Sequence, residues 1–359
     1  MCRLPHASHQ RHSIFCILPP HILIEISKSG TPAQRAQALD TLSVDHTVRQ
    51  FRATSAATLA TVQVQPRMSV TTPVKQRTIF DSHHTQQMPG TVARTEGAPP
   101  VADASVNEAY DGLGATFDFY LQTYHRNSID DAGMPMNASV HFGSHYDNAF
   151  WNGQQMVFGD GDGKLFNRFT IALDVIGHEL THGVTENEAG LAYSGQSGAL
   201  NESVSDVFGS LIKQYVNQQT ADQADWLIGA GLLADGVKGV ALRSMKAPGT
   251  AYDDPVLGKD PQPDHMNGYV KTMSDNGGVH INSGIPNHAF YRVALAIGGN
   301  AWEKAGRIWY ETVSDPHLKP NAKFRTFARL TESNAGKLFG VGGPEANAVH
   351  AAWQQVGVL

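Results

Sequence analysis

The chain has 359 residues, 41% of them hydrophobic, enough for a sizeable core and, as a soft expectation, two or three domains. A formal net charge of −6 with no basic block leaves no electrostatic footprint for nucleic acid or a membrane surface. Cys2 and Cys16 are the two cysteines, so the body of the chain holds no disulfide, and no stretch approaches the roughly 20 apolar residues of a membrane span.

In chain order, residues 1–30 set His6, His9, His12 and His21 around an apolar segment that Pro19 and Pro20 interrupt. Without a small-residue cleavage site this is not a recognisable signal peptide. Consecutive prolines predict an extended backbone, which could lie in an enzyme groove; a disordered tail is the alternative. Ala36, Leu39, Leu42 and Val48 give a helical pattern over 32–53, and the Thr-, Ala-, Ser-, Val- and Gln-rich stretch 54–73 reads as a linker. Short alternating pieces over 78–97 predict a hairpin, and 105–126 a helix with Ser105 as N-cap and Glu108 three residues on. The stretches 138–142, 146–151 and 156–163 predict a sheet edge ending in turns. Such an edge can hold an extended peptide, with Asn148 offering side-chain contacts, or can be purely structural.

Next comes HELTH at 178–182, on a helical pattern carried by Ile171, Val175, Ile176 and Leu180. Residues four apart lie on one helix face about 5–6 Å apart, so His178 and His182 can share one tetrahedral zinc, unless they are simply a polar face. Glu179 would stand beside the open position as general base. Residues 189–191 and the glycines of 195–198 break the pattern, letting a second helix fold back with Glu202 as third ligand. Asp206, one turn later, can reach the outward nitrogen of His178 and fix its tautomer. Residues 217–277 read as mostly loop, and 285–297, 302–313, 324–339 and 344–356 as helices.

From about residue 78 onward the chain resembles the thermolysin-like metallopeptidases, above all their protealysin-type branch. The resemblance rests on NAFW (148–151), MVFGDGDG (156–163), HELTHGVT (178–185), GALNESVSD (198–206), LRSM (242–245) and DNGGVHINSG (275–284), all in order. It implies an α+β, two-lobed fold, with a mixed, β-rich N-terminal lobe, a mainly helical C-terminal lobe and the zinc helix between them. Expected boundaries are 1–70 for a short propeptide and linker, 71–188 for the first lobe and 189–359 for the second. It also implies a secreted neutral endopeptidase, monomeric, acting before large apolar residues of protein or peptide substrates. Holding the enzyme in the cytoplasm until release is the alternative.

By the same resemblance His178, His182 and Glu202 hold one Zn2+, Glu179 is the base, and Tyr193 and His280 stabilise the oxyanion. Asp206 and Asp275 orient the two histidines His178 and His280. Asn148, Ala149 and Arg243 bind the substrate backbone, and Phe166, Val175, Ile228 and Leu242 form the apolar pocket. Calcium at the family's double site is not expected: Asp174 and Asp225 remain, but Lys213, Leu227 and Ala230 replace oxygen donors, and a hard dication needs about six oxygens. Cys16, Pro19, Pro20 and Leu23 match an inhibitory propeptide motif. An extended segment is expected to fill the cleft with its Leu23 end, with Cys16 as a small apolar group or, alternatively, a thiolate on the metal. Processing is expected within 54–77. A catalytically silent zinc-binding regulator and a zinc hydrolase of non-peptide amides are the alternative functions.

Overall fold

The computed structural model describes residues 15–59 and 72–359. Cys2, His6, His9, His12 and much of the expected linker lie outside the described residues, whereas His21 stands on α1.

Strand β1 (Phe15–Cys16) is followed by helices α1 (Pro20–Ser29) and α2 (Pro32–Leu59). The extended reading of the Pro-Pro segment therefore fails from Pro20 onward. Pro19 is extended (φ −64°, ψ 141°), but Pro20 takes the first helical position, where a missing N–H and a fixed φ suit a first turn. Ile22, Leu23 and Ile26 then face the core. The helix α2 also runs through 54–59, where a linker was expected.

Next come β2 (Arg77–Asp81), β3 (Thr91–Thr95), α3 (Ala104–Tyr124), β4 (Met136–Val140), β5 (Ala149–Trp151) and β6 (Gln155–Phe158). The six strands form one sheet in the order β1-β5-β6-β4-β2-β3. Strands β2 and β6 flank β4, each parallel to it; β5 is antiparallel to β6, and β1 covers the free edge of β5, pairing Phe15 with Trp151 and Cys16 with Phe150. The N-cap of α3 is Asp103 rather than Ser105: its Oδ1 accepts the Ser105 and Val106 amides at 2.8 and 3.4 Å. Glu108, freed from a capping box, takes Arg168 and Thr170 instead.

A 3₁₀ turn at Phe169–Ile171 leads into α4 (Leu173–Asn187), and α5 (Gly195–Asn217) folds back along it. The turn occupies residues 188–194, so the glycines expected to break the pattern lie inside the first turn of α5. Two other glycines set the spacing of this pair. A Cβ on Gly177 would stand 2.7 Å from Ile212 Cδ1, and one on Gly209 would stand 2.3 Å from the Asp174 carbonyl. Short strands β7 (Leu227–Ile228), β8 (Arg243–Ser244), β9 (Asp253–Asp254) and β10 (Gly258–Lys259) punctuate the long loop region. The chain ends in α6 (Asp275–Asn282), α7 (Gly284–Ile297), α8 (Ala305–Val313), α9 (Phe324–Phe339) and α10 (Pro344–Gln355). These pack around Trp309 and Trp353, stacked at 6.1 Å. The architecture is the α+β one: a sheet-containing N-terminal part, a helical C-terminal part, and α4 between them. No helix among the described residues is long and apolar enough to cross a membrane.

Candidate active site

His178 and His182 stand one turn apart on α4, fully buried, with their Nε2 atoms 3.0 Å from each other. Each ring is oriented from behind. His178 Nδ1 donates to Asp206 Oδ1 at 2.7 Å, and His182 Nδ1 donates to Asn201 Oδ1 at 2.8 Å, with Ser205 Oγ at 3.0 Å. With both Nδ1 positions used as donors, two Nε2 lone pairs face each other, an arrangement that calls for a cation between them. Glu202, on α5, closes the set: its oxygens lie 3.5 Å from His178 Nε2 and 3.6 Å from His182 Nε2. Its Oε2 is buried with no hydrogen-bond partner, and against burial its pKa is kept well below the usual range, with His280 the first of the groups that favour its charge. Burial lowers His182 to about 3, so that ring is neutral and ready to ligate. Two imidazoles and a carboxylate fit a catalytic zinc, which keeps an open fourth position.

Glu179 is buried beside this cluster. Its Oε2 accepts the Trp151 amide at 2.9 Å while Oε1 has no partner, and burial followed by the charge of Glu202 raises its pKa well above the ordinary value. On the opposite side Tyr193 donates its hydroxyl proton to Glu202 Oε1 and lies 3.2 Å from His280 Nε2. The local sequence explains where His280 sits. Asp275, Asn276, Gly277 and Gly278 all take positive φ, which Asp, Asn and Gly tolerate best, and this curls Asp275 under the ring. Asp275 accepts from His280 Nδ1 at 2.6 Å and from its amide at 2.9 Å; burial opposes the charge on His280, but Asp275 outweighs it and raises the pKa.

A segment of the chain itself occupies the groove. The Ile17 amide donates to the Ala149 carbonyl at 3.2 Å, and the Leu18 amide to Asn148 Oδ1 at 3.0 Å. His280 Nε2 donates to the Cys16 carbonyl at 3.0 Å and Arg243 Nη1 to the Ile17 carbonyl, also at 3.0 Å. Arg243 is locked by a two-pronged pair with Asp206 at 2.8 and 2.9 Å, and Asn287, with His178, makes four donors to that carboxylate. A continuous line of bonds thus runs from the Ile17 carbonyl through Arg243 and Asp206 to His178.

The sequence reading placed Leu23 at the apolar pocket. The carbonyl facing His280 belongs to Cys16, so the residue after it is Ile17; Ile17 and Leu23 are both buried in the core cluster that holds Phe166, Val175, Ile228 and Leu242. Leu23 follows on α1, where the helix turns the chain out of the extended register. Cys16 packs with Phe142, Tyr146, Phe150 and Val157 as a small apolar group, outside the His178, His182 and Glu202 cluster.

The family profile for the thermolysin metallopeptidase catalytic domain matches residues 29–186, and that for the thermolysin metallopeptidase alpha-helical domain matches residues 189–358. The chain belongs to the thermolysin metallopeptidase family. It is 55% identical over 345 residues to an extracellular metalloprotease of Pectobacterium carotovorum subsp. carotovorum, covering 96% of each chain. To the protease PrtS of a Photorhabdus strain it is 48% identical over 344 residues, covering 95% of this chain and 91% of the relative. The solved precursor of protealysin, a metalloproteinase from Serratia proteamaculans, superposes with a TM-score of 0.87 at 54% identity, over 96% of this chain and all of that one. This chain is accordingly a metallopeptidase of the thermolysin type.

The sequence reading missed Asp45 and Gln37 of α2. Asp45 accepts from the Tyr146 hydroxyl and from Asn148 Nδ2, the latter at 3.0 Å, and Gln37 Nε2 donates to Asp147 Oδ2 at 3.0 Å. The pairing Asp45–Asn148 is the one that matters for the groove, because it turns the Asn148 amide so that Oδ1 meets Leu18.

Proposed function

We propose that this chain is the self-inhibited precursor of a zinc-dependent neutral endopeptidase, exported from the cell like the extracellular metalloprotease it is similar to. His178, His182 and Glu202 would hold the zinc. When bound, zinc polarises the scissile carbonyl and lowers the pKa of its water to about 7. Glu179 takes the proton from the attacking water and later passes it to the leaving amine. His280, whose pKa Asp275 raises against burial, and the Tyr193 hydroxyl donate to the oxygen on which negative charge develops. Arg243, Asn148 and Ala149 hold the peptide backbone in register, and Phe166, Val175, Ile228 and Leu242 receive an apolar side chain after the scissile bond.

One observation carries this reading: the Cys16 carbonyl meets His280 while the Ile17 carbonyl meets Arg243, so the chain's own segment lies as a substrate would. A tethered segment sees its site at roughly millimolar effective concentration, so even weak intrinsic binding keeps the groove filled. Initial peptide hydrolysis by the full chain should be far slower than by a chain beginning at Val70, and a zinc-selective chelator should abolish the activity of the shorter chain. Equal initial rates would remove the inhibitory role, and chelator-resistant activity would remove the zinc. Lys213 Nζ stands between Asp174 Oδ2 at 2.7 Å, Asp225 Oδ1 at 2.9 Å and the Leu227 carbonyl at 2.7 Å, an ammonium where a calcium-binding relative would need oxygens.

A further inference from the structure

We propose that His84, His141 and Asp160 form a second metal site, distinct from the one on α4, that takes a divalent transition cation such as zinc. Their positions follow from the sheet. Strands β2, β4 and β6 are adjacent and parallel, and the three residues stand just past the carboxyl ends of those three strands. Carboxyl ends of neighbouring parallel strands bring loops from distant parts of the sequence to one place. Backbone bonds tie the loops together: Ser82 to the Val140 carbonyl at 3.0 Å, His84 to the His141 carbonyl at 2.8 Å, and Phe142 to the Phe158 carbonyl at 3.1 Å.

The donor geometry resembles that of the first cluster. His141 Nδ1 lies 2.9 Å from both Asp160 oxygens, and His84 Nδ1 lies 3.3 Å from Asp160 Oδ2. One ligand atom from each of the three falls within 4.8 Å of the others, the same closeness that brings His178, His182 and Glu202 together. The rear of His141 is arranged like that of His178. Its Nε2 lies 2.7 Å from Asp103 Oδ2, while Asp103 Oδ1 is fixed by the first amides of α3. An Nε2–H directed at a carboxylate leaves Nδ1 as the lone pair facing Asp160 and His84, the carboxylate–histidine pairing usual behind a metal ligand. His83 does not join, because its nitrogens are engaged by Asp81 and Thr91. Two imidazoles and one carboxylate, open to water on the exposed His84 side, suit zinc and its neighbours in the transition series and not calcium or magnesium.

The competing arrangement is an imidazolium on His141 bridging Asp160 and Asp103, whose charges raise its pKa to about 9 against the effect of burial. A metal would displace that proton into solvent as it bound. The bridge from His141 to Asp160 and Asp103 stands without His84, whereas a metal needs it, so His84 separates the two. Full-length protein and its His84→Ala variant, dialysed against micromolar free zinc, should differ by one zinc per chain in elemental analysis; zinc held by the N-terminal histidines is common to both and cancels. Asp103→Asn retains an N-cap and should weaken the second zinc by about 10- to 100-fold while leaving the first in place. Equal zinc content in wild type and His84→Ala, or unchanged affinity in both variants, would overturn the site.

Discussion

Glu179 and Arg243 carry the most sharply testable expectations at the scale of single residues. Replacing Glu179 by Gln keeps the size of the side chain and leaves His178, His182 and Glu202 untouched, so zinc content should be unchanged in elemental analysis. Peptide hydrolysis should fall by about 10²- to 10⁴-fold, the range a positioned base contributes. A variant keeping a tenth of the activity would show that another group moves the proton. Arg243 is fully buried and makes three bonds, two of them to Asp206. Lysine offers one ammonium in place of a planar fork, so it cannot serve both Asp206 and a substrate carbonyl. Losing one charged hydrogen bond at about 1.5–3 kcal/mol predicts that Arg243→Lys lowers kcat/KM of the activated enzyme by roughly 10- to 100-fold. An unchanged kcat/KM would place the substrate backbone elsewhere.

Among the elements, α2 ties the segment in the groove to the rest of the molecule. Asp45→Ala removes the acceptor for Tyr146 and for Asn148 Nδ2, and should raise the initial activity of the unprocessed chain by about tenfold or more, since a buried charged bond of about 1.5–3 kcal/mol is lost from the docked state. Asp147, on the strand side of the same contact, gives α2 a pH dependence. Burial, then the nearby Asp162, push its carboxyl up from the ordinary 3.8 to about 8. Folded protein therefore keeps a proton that the unfolded chain has already lost, so this contribution is fully present below pH 3.8 and is lost as pH rises through about 8. In thermal melts the advantage of Asp147→Asn over wild type should grow between about pH 5 and pH 8; a constant difference would show that Asp147 is ionised throughout. None of this was legible in the sequence, because Asp45 meets partners about a hundred residues away and nothing in α2's composition marks it. The helix α4 was legible, since a 3.6-residue apolar period and two imidazoles four apart leave a mark that needs no tertiary context. Pro20 misled for a local reason: a proline pair reads as extended chain unless the second opens a helix, and that depends on Ile22, Leu23 and Ile26 finding a core.

For the whole molecule, helices α7 to α10 could be read from periodicity, and the place of α4 between the two parts from the resemblance to the thermolysin-like family. Strand order could not. The approach of His84, His141 and Asp160 follows from β2, β4 and β6 lying side by side, which no spacing in the chain reveals. Global stability offers a separate test. Millimolar calcium or the chelator EGTA should leave Tm within about 2 °C, because a cation that binds only the native state must raise stability by RT ln(1 + [L]/Kd) and Lys213 fills the place such an ion would take. A larger rise with calcium would mean that other carboxylates have assembled a site.

Lys213 also changes what the surroundings must provide. Burial works against its charge, yet Asp174 keeps its pKa above the ordinary value, so the counter-ion that neutralises Asp174 is synthesised with the chain and arrives with it at a fixed one-to-one ratio. On that account, assembly of α5 against the loop that follows it should be indifferent to how much calcium the medium holds. On the proposed reading, activity begins when the N-terminal segment is cut, whatever the mineral content of the surroundings.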